Sequence, residues 1–106
     1  QAIKHKLADM YVGIELARSN AYYAGMMLAD KGADLPIAAA AARVAGIEAY
    51  EFAAKENIQT HGGIGFTWEA NPQFHYRRAR VLALNIGGLM TWKNKLVSHL
   101  EKKNAA

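Results

Sequence analysis

The chain has 106 residues, enough for one hydrophobic core and too few for several domains. A hydrophobic fraction of 52% with 21% charged residues excludes a disordered chain, and the absence of cysteine excludes a disulfide scaffold, a thiolate metal site and a catalytic thiol. The formal charge of +4 rests largely on Arg77, Arg78 and Arg80 and on Lys93, Lys95, Lys102 and Lys103, which read as solvated helix faces compatible with acidic small molecules, not as a nucleic-acid footprint.

Helix one is predicted over about residues 2–31. Ile3, Leu7, Met10, Ile14, Ala17 and Ala21 recur at steps of four and three, the spacing of an apolar helical seam. Gln1 opens directly in this pattern, without a secretory n-region or an initiator methionine, so the chain is expected to start inside a longer polypeptide or after a processed leader. Gly32 is the expected C-terminal cap, and Asp34 is expected to cap helix two with Pro36 in its first turn. Helix two is predicted over about residues 36–60. Its Ala38–Ala42 run invites close approach by a neighbour, and Val44, Ile47, Phe52 and Ile58 spread apolar surface over several sides. It is therefore the most buried helix expected, and burial on several sides by so small a chain implies a partner surface.

Gly62-Gly63-Ile64-Gly65 ends helix two, and Phe66-Thr67-Trp68-Glu69 is expected to be irregular or extended. The glycines read either as a helix stop or as a backbone cradle for a phosphate. A helix C-terminus repels anions, so a phosphate here needs loop amides, side chains or another chain. No Gly-Lys-Ser/Thr follows, and the spacing is not Gly-x-Gly-x-x-Gly. Asn71-Pro72 starts a third helix over about residues 72–85, Gly87-Gly88 breaks it, and a last amphipathic helix covers about residues 89–102 with Trp92, Leu96 and Leu100 on one side. The fold class is all-α, an antiparallel bundle of three to four helices with short loops.

His5, His61, His75 and His99 lack metal-site spacing, so no metal is expected. Ser19 and Ser98 lack a nucleophile elbow. No apolar run approaches the roughly 20 residues needed to cross a bilayer, so no membrane insertion is expected. The Arg77-Arg78-Arg80 group is expected to pair with Asp9 or Glu69 across the bundle.

Gln59-Thr60-His61-Gly62-Gly63-Ile64-Gly65-Phe66-Thr67-Trp68-Glu69 resembles the C-terminal segment of the acyl-CoA dehydrogenase family, as does the opening Gln1-Ala2-Ile3-Lys4-His5-Lys6-Leu7-Ala8-Asp9-Met10. Tyr76-Arg77-Arg78-Ala79-Arg80 falls where that family has an arginine-containing helix, and the resemblance runs in order along nearly the whole chain. It implies that residues 1–106 are a partial C-terminal helical-bundle domain of a flavoprotein. Two upstream domains and a first bundle helix would belong to the parent, which would desaturate an acyl-CoA thioester between its α and β carbons with FAD as hydride acceptor. The bundle would supply oligomer interface, homomeric or heteromeric, and touch the adenosine and pyrophosphate of a neighbouring subunit's FAD. By the same resemblance Gln1, Gln59, Gly62 and Gly63 match cofactor-contacting positions, with His61 a weaker match.

The family's glutamate base, carried forward without gaps, falls on Ile86, which cannot accept a proton, so no catalytic residue is expected in this chain. Either the base comes from an upstream helix or the subunit is catalytically silent. Glu48, Glu51, Glu56 and Glu69 read as solvated or paired surface groups. The fragment alone is expected to be inactive. The parent's partners would be acyl-CoA and an electron-transfer acceptor, its compartment a bacterial cytoplasm or else a mitochondrial matrix. The alternative is a non-catalytic helical oligomerisation module derived from the family.

Overall fold

The computed structural model describes residues 1–105, which form four α-helices: α1 (Ala2–Ala29), α2 (Leu35–His61), α3 (Pro72–Leu84) and α4 (Leu89–Ala105). A 3₁₀ segment, Gly62–Phe66, joins α2 to α3. The bundle is all-α, as expected, with α2 as its hub: α1, α3 and α4 each pack on α2 and make no comparable contact with one another. The alanine run explains this, because small side chains let three helices approach one. Ala38, Ala40, Ile47, Ala54 and Ile58 of α2 are buried, whereas α1 and α4 bury no residue.

Each neighbour of α2 is also tied to it by one glutamate. Glu56 meets Lys6 of α1 at 3.0 Å, Glu51 meets Arg80 of α3 at 3.7 Å, and Glu48 meets Lys93 of α4 at 3.0 Å. Part-exposed pairs of this kind contribute about 0–1 kcal/mol each, so they set register more than stability. The α1–α2 register is antiparallel. Lys6 lies opposite Glu56, and Gly13 approaches Ala49 so closely that a Cβ there would lie 3.8 Å from the Ala49 Cβ.

The core is thin. No large side chain is fully buried, and Ile3, Leu7, Tyr11, Leu16 and Tyr22 of α1 all stand exposed. The radius of gyration is 16.1 Å, against about 13 Å for a compact chain of this length. Beside the α1–α2 seam runs an open groove of about 400 Å³ whose lining includes Ile14, Ala17, Gly46, Ala49, Tyr50 and His75.

Four expectations need correction. Helix one ends at Ala29, and the left-handed residue is Lys31 (φ 53°), not Gly32. The Gly32 N–H donates to the Met27 carbonyl at 2.9 Å and the Lys31 N–H to that of Leu28 at 3.4 Å, a Schellman closure whose register puts the left-handed position one residue earlier. Asp34 occupies the N-cap position of α2 but makes no side-chain cap; its carboxylate accepts from Lys103 Nζ at 3.1 Å and ties α4 to the start of α2. Phe66 closes a 3₁₀ turn, because the glycines let the chain keep coiling after α2 ends, whereas Thr67–Glu69 is irregular as expected. Finally, Arg80 pairs with Glu51 while Arg77 lies over the Trp68 ring, 4.9 Å from its centroid, so neither pairs with Asp9 or Glu69.

Candidate functional site

The α2 C-terminus is built by its last turn and the glycines after it. Gly62 takes a left-handed conformation (φ 73°, ψ −150°) that a side chain would resist, and its N–H closes back onto the Gln59 and Ile58 carbonyls. Gly65 is needed for a different reason: a Cβ there would lie 2.8 Å from the Ile58 carbonyl oxygen, so the 3₁₀ turn could not fold back on α2. Thr67 Oγ1 donates to the Ile64 carbonyl at 2.7 Å and closes the turn.

Gly63 differs from both neighbours. It has no left-handed φ, and no heavy atom lies within 4 Å of where its Cβ would stand. Among the described residues, neither backbone conformation nor a close contact requires glycine at this position. A bare backbone facing open space is what a group approaching from outside needs. Gln59, His61 and Gly62 are exposed around it, and His61 Nδ1 lies 2.8 Å from the Asn57 carbonyl. A register that puts residue 6 opposite 56 and residue 13 opposite 49 puts Gln1 level with His61. Gln1, Gln59, Gly62 and Gly63 thus share one end of the molecule.

Below the glycine turn, Trp68 is 68% exposed, meets Phe74 edge-on with centroids 6.4 Å apart, and carries the Arg77 guanidinium on its face.

Ile86 sits elsewhere. The α3–α4 turn is held by two side chains that sequence reading did not single out for the task. Arg43 Nη2 donates to the Leu82 carbonyl at 2.7 Å and to that of Gly87 at 3.2 Å. Trp92 Nε1 donates to the Ile86 carbonyl at 2.9 Å. Gly87 takes φ 103°, and a Cβ on it would lie 3.1 Å from Trp92 Nε1. The result is a braced turn presenting Ile86 outward, 64% exposed. Its signal in the sequence was a lone arginine after an alanine run in the most buried helix, whose guanidinium seeks acceptors; Nη2 finds two carbonyls and the buried Nε none. From Arg43 to His61 along α2 is about 27 Å at a helical rise of ~1.5 Å per residue. One chain therefore does not bring Ile86 to the glycine turn.

The family model of the acyl-CoA dehydrogenase C-terminal domain matches residues 1–88, which takes in both turns. The chain belongs to the acyl-CoA dehydrogenase family. Relatives include acyl-CoA dehydrogenase IpdE2 of Mycobacterium tuberculosis, 45% identical over 80 residues, covering 74% of this chain and 23% of that protein. Acyl-CoA dehydrogenase FadE34 of the same organism is 39% identical over 99 residues, 92% of this chain and 14% of the relative. The mitochondrial short-chain specific acyl-CoA dehydrogenase of Bos taurus is 34% identical over 102 residues, 96% of this chain and 24% of the relative. The chain thus spans less than a quarter of the length of these relatives. No helix among the described residues is long and apolar enough to cross a membrane.

Proposed function

We propose that this chain is the bundle portion of an FAD-dependent acyl-CoA dehydrogenase, supplying oligomer interface and part of an FAD site while being inactive alone. The observation that carries the reading is Gly63, a glycine with neither conformational nor steric cause among the described residues, set beside exposed Gln59 and Gly62 at the end of the molecule that Gln1 shares. These residues fit a pyrophosphate-bearing cofactor. They offer open backbone and two amide side chains, and they leave room for the group itself. When bound, FAD supplies the hydride acceptor of the parent reaction; this chain's residues hold and orient its nucleotide end.

The separation between Ile86 and the glycine turn supports a cofactor shared between subunits. A turn about 27 Å away along α2 would face a different active site from the one the glycine turn completes. The interface role is supported by area. The accessible surface is 7455 Å², whereas a compact monomer of this mass exposes about 5,800 Å². That excess is of the order of twice what each partner buries in a standard interface, about 800 Å². Parent substrates are acyl-CoA thioesters and the parent passes electrons to an acceptor protein. Its compartment is a bacterial cytoplasm, with the mitochondrial matrix as the alternative. Ile86 at the tip of the braced turn favours one further reading, a subunit that keeps the scaffold and no longer supplies a base.

The test is an FAD titration followed by flavin fluorescence, with the chain and its Gly63→Val variant. Saturable quenching that the variant loses is the expected result, and the variant should fold because the added side chain meets open space. No quenching by the unsubstituted chain would remove the half-site and leave the scaffold role alone.

A further inference from the structure

The last helix carries basic groups that the bundle leaves unused. Of its four lysines, Lys93 pairs with Glu48 and Lys103 with Asp34, and both pairs tie α4 to α2. Lys95 and Lys102 meet no carboxylate among the described residues. Lys95 instead lies over the Trp92 ring, 4.4 Å from its centroid. That ring is fixed, because its Nε1 donates to the Ile86 carbonyl at 2.9 Å. Beside it, between α4 and the first turns of α2, runs a groove of about 630 Å³. Pro36, Ala39 and Trp92 give the groove apolar walls, Lys95, Ser98 and His99 line its α4 side, and no acidic residue borders it. Steps of four and three residues place Lys95, His99 and Lys102 in one row, about 10 Å long at a helical rise of ~1.5 Å per residue. All of α4 lies beyond residues 1–88, the stretch that the family model matches.

We propose that this groove docks an acidic peptide segment of another protein, with an apolar side chain against Trp92 and Pro36 and carboxylates on the row of Lys95, His99 and Lys102. The row is longer than one carboxylate spans, whereas carboxylates three or four residues apart on a helix, about 5–6 Å, meet successive groups along it. Lys95 and Lys102 offer ammonium donors and His99 a ring N–H. The indole holds the Lys95 ammonium at the groove, which lowers the entropy lost when a partner fixes that long side chain. A second copy of this chain is a poor occupant. Its formal charge is +4, and five of its nine acidic residues are already ion-paired, leaving Asp9, Asp30, Glu69 and Glu101 scattered. Exposed contacts of this kind are screened by salt, so the docking is weak and salt-dependent. The groove shares no residue with the glycine turn.

The experiment is fluorescence anisotropy of the intact 106-residue chain with fluorescein-labelled peptides. Each peptide has ~14 residues, about 20 Å as a helix, with leucine and glutamate at helical spacing, or glutamine in place of every glutamate. A labelled oligothymidine strand serves as a competing polyanion. Saturable binding of the glutamate peptide is expected, weaker at about 300 mM than at about 50 mM salt and absent for the glutamine peptide. Lys95→Glu combined with Lys102→Glu should weaken it about ten-fold, as two attractive contacts turn repulsive. Lys4→Glu combined with Arg78→Glu makes the same change of charge at exposed positions outside the groove and should leave binding nearly unchanged. Ser98→Phe keeps every charge but fills an exposed position on the groove, and should weaken binding about five-fold. All of these positions are exposed and the pairs to Glu48 and Asp34 stay intact, so the variants should keep their helices by circular dichroism. Equal losses from the two double variants would show a diffuse field in place of a site. Full affinity in Ser98→Phe would remove the groove as the seat of binding. Tighter binding of oligothymidine than of the glutamate peptide, or no peptide binding at all, overturns the proposal outright.

Discussion

The two turns with more than one glycine, at 62–65 and 85–88, are finished in opposite ways. The turn at 85–88 is closed from within: Arg43 of α2 and Trp92 of α4 take its carbonyls, and the indole fills the space beside Gly87. The turn at 62–65 is closed only on its inner side. Gly65 is pressed against the Ile58 carbonyl, while Gly63, two residues before it, faces nothing. A turn satisfied by its own chain is scaffold. One that keeps a bare backbone toward solvent is where the proposed cofactor contact would lie.

Substitutions at three positions test how differently the two turns are held. The largest effect is expected at Gly65→Ala, which forces a Cβ to 2.8 Å from a backbone oxygen that cannot swing aside. It should destabilise the fold by about 3 kcal/mol, read by urea unfolding; a loss under 1 kcal/mol would mean that the 3₁₀ turn is not held against α2. Arg43→Ala comes next. It strips two hydrogen bonds from the α3–α4 turn and should cost about 2 kcal/mol. Amide exchange should show that loss concentrated at residues 85–88, and a uniform effect along the chain would argue against a local brace. The smallest stability effect is expected at Gly63→Ala, within about 0.5 kcal/mol of zero, because the new methyl meets open space. A destabilisation as large as that of Gly65→Ala would erase the contrast between the two positions and with it the argument for an external ligand.

A second contrast separates α2 from α1. Both are long and apolar, and both were legible as helices from their spacing and from the breaks at Gly32 and Gly62. The expectation that α2 would be most buried holds, because three helices surround it. The seam predicted on α1 is only half realised. Met10 and Ala17 lie partly covered, whereas Ile3 and Leu7 stand exposed and Ile14 opens onto the groove. Periodicity identifies an apolar face but does not say whether this chain or another molecule covers it. Of the solvated or paired state expected for Glu48, Glu51 and Glu56, the paired one is found, with Glu56 largely covered; the partner of each could not be foreseen, since every pair joins different helices.

Local pattern along the chain was enough for the all-α class, the order and approximate limits of the helices, and the family. All of these depend on local spacing, on glycine and proline, and on contiguous motifs such as Gln59–Phe66. The fold alone supplies the reasons for glycine at 62, 65 and 87, the carbonyls that Arg43 holds, and the placing of Gln1 level with His61 while Ile86 lies toward the other end of α2. Those facts are set by atoms up to 50 residues apart in the chain, such as Lys6 and Glu56 at 3.0 Å, and no local pattern encodes such distances.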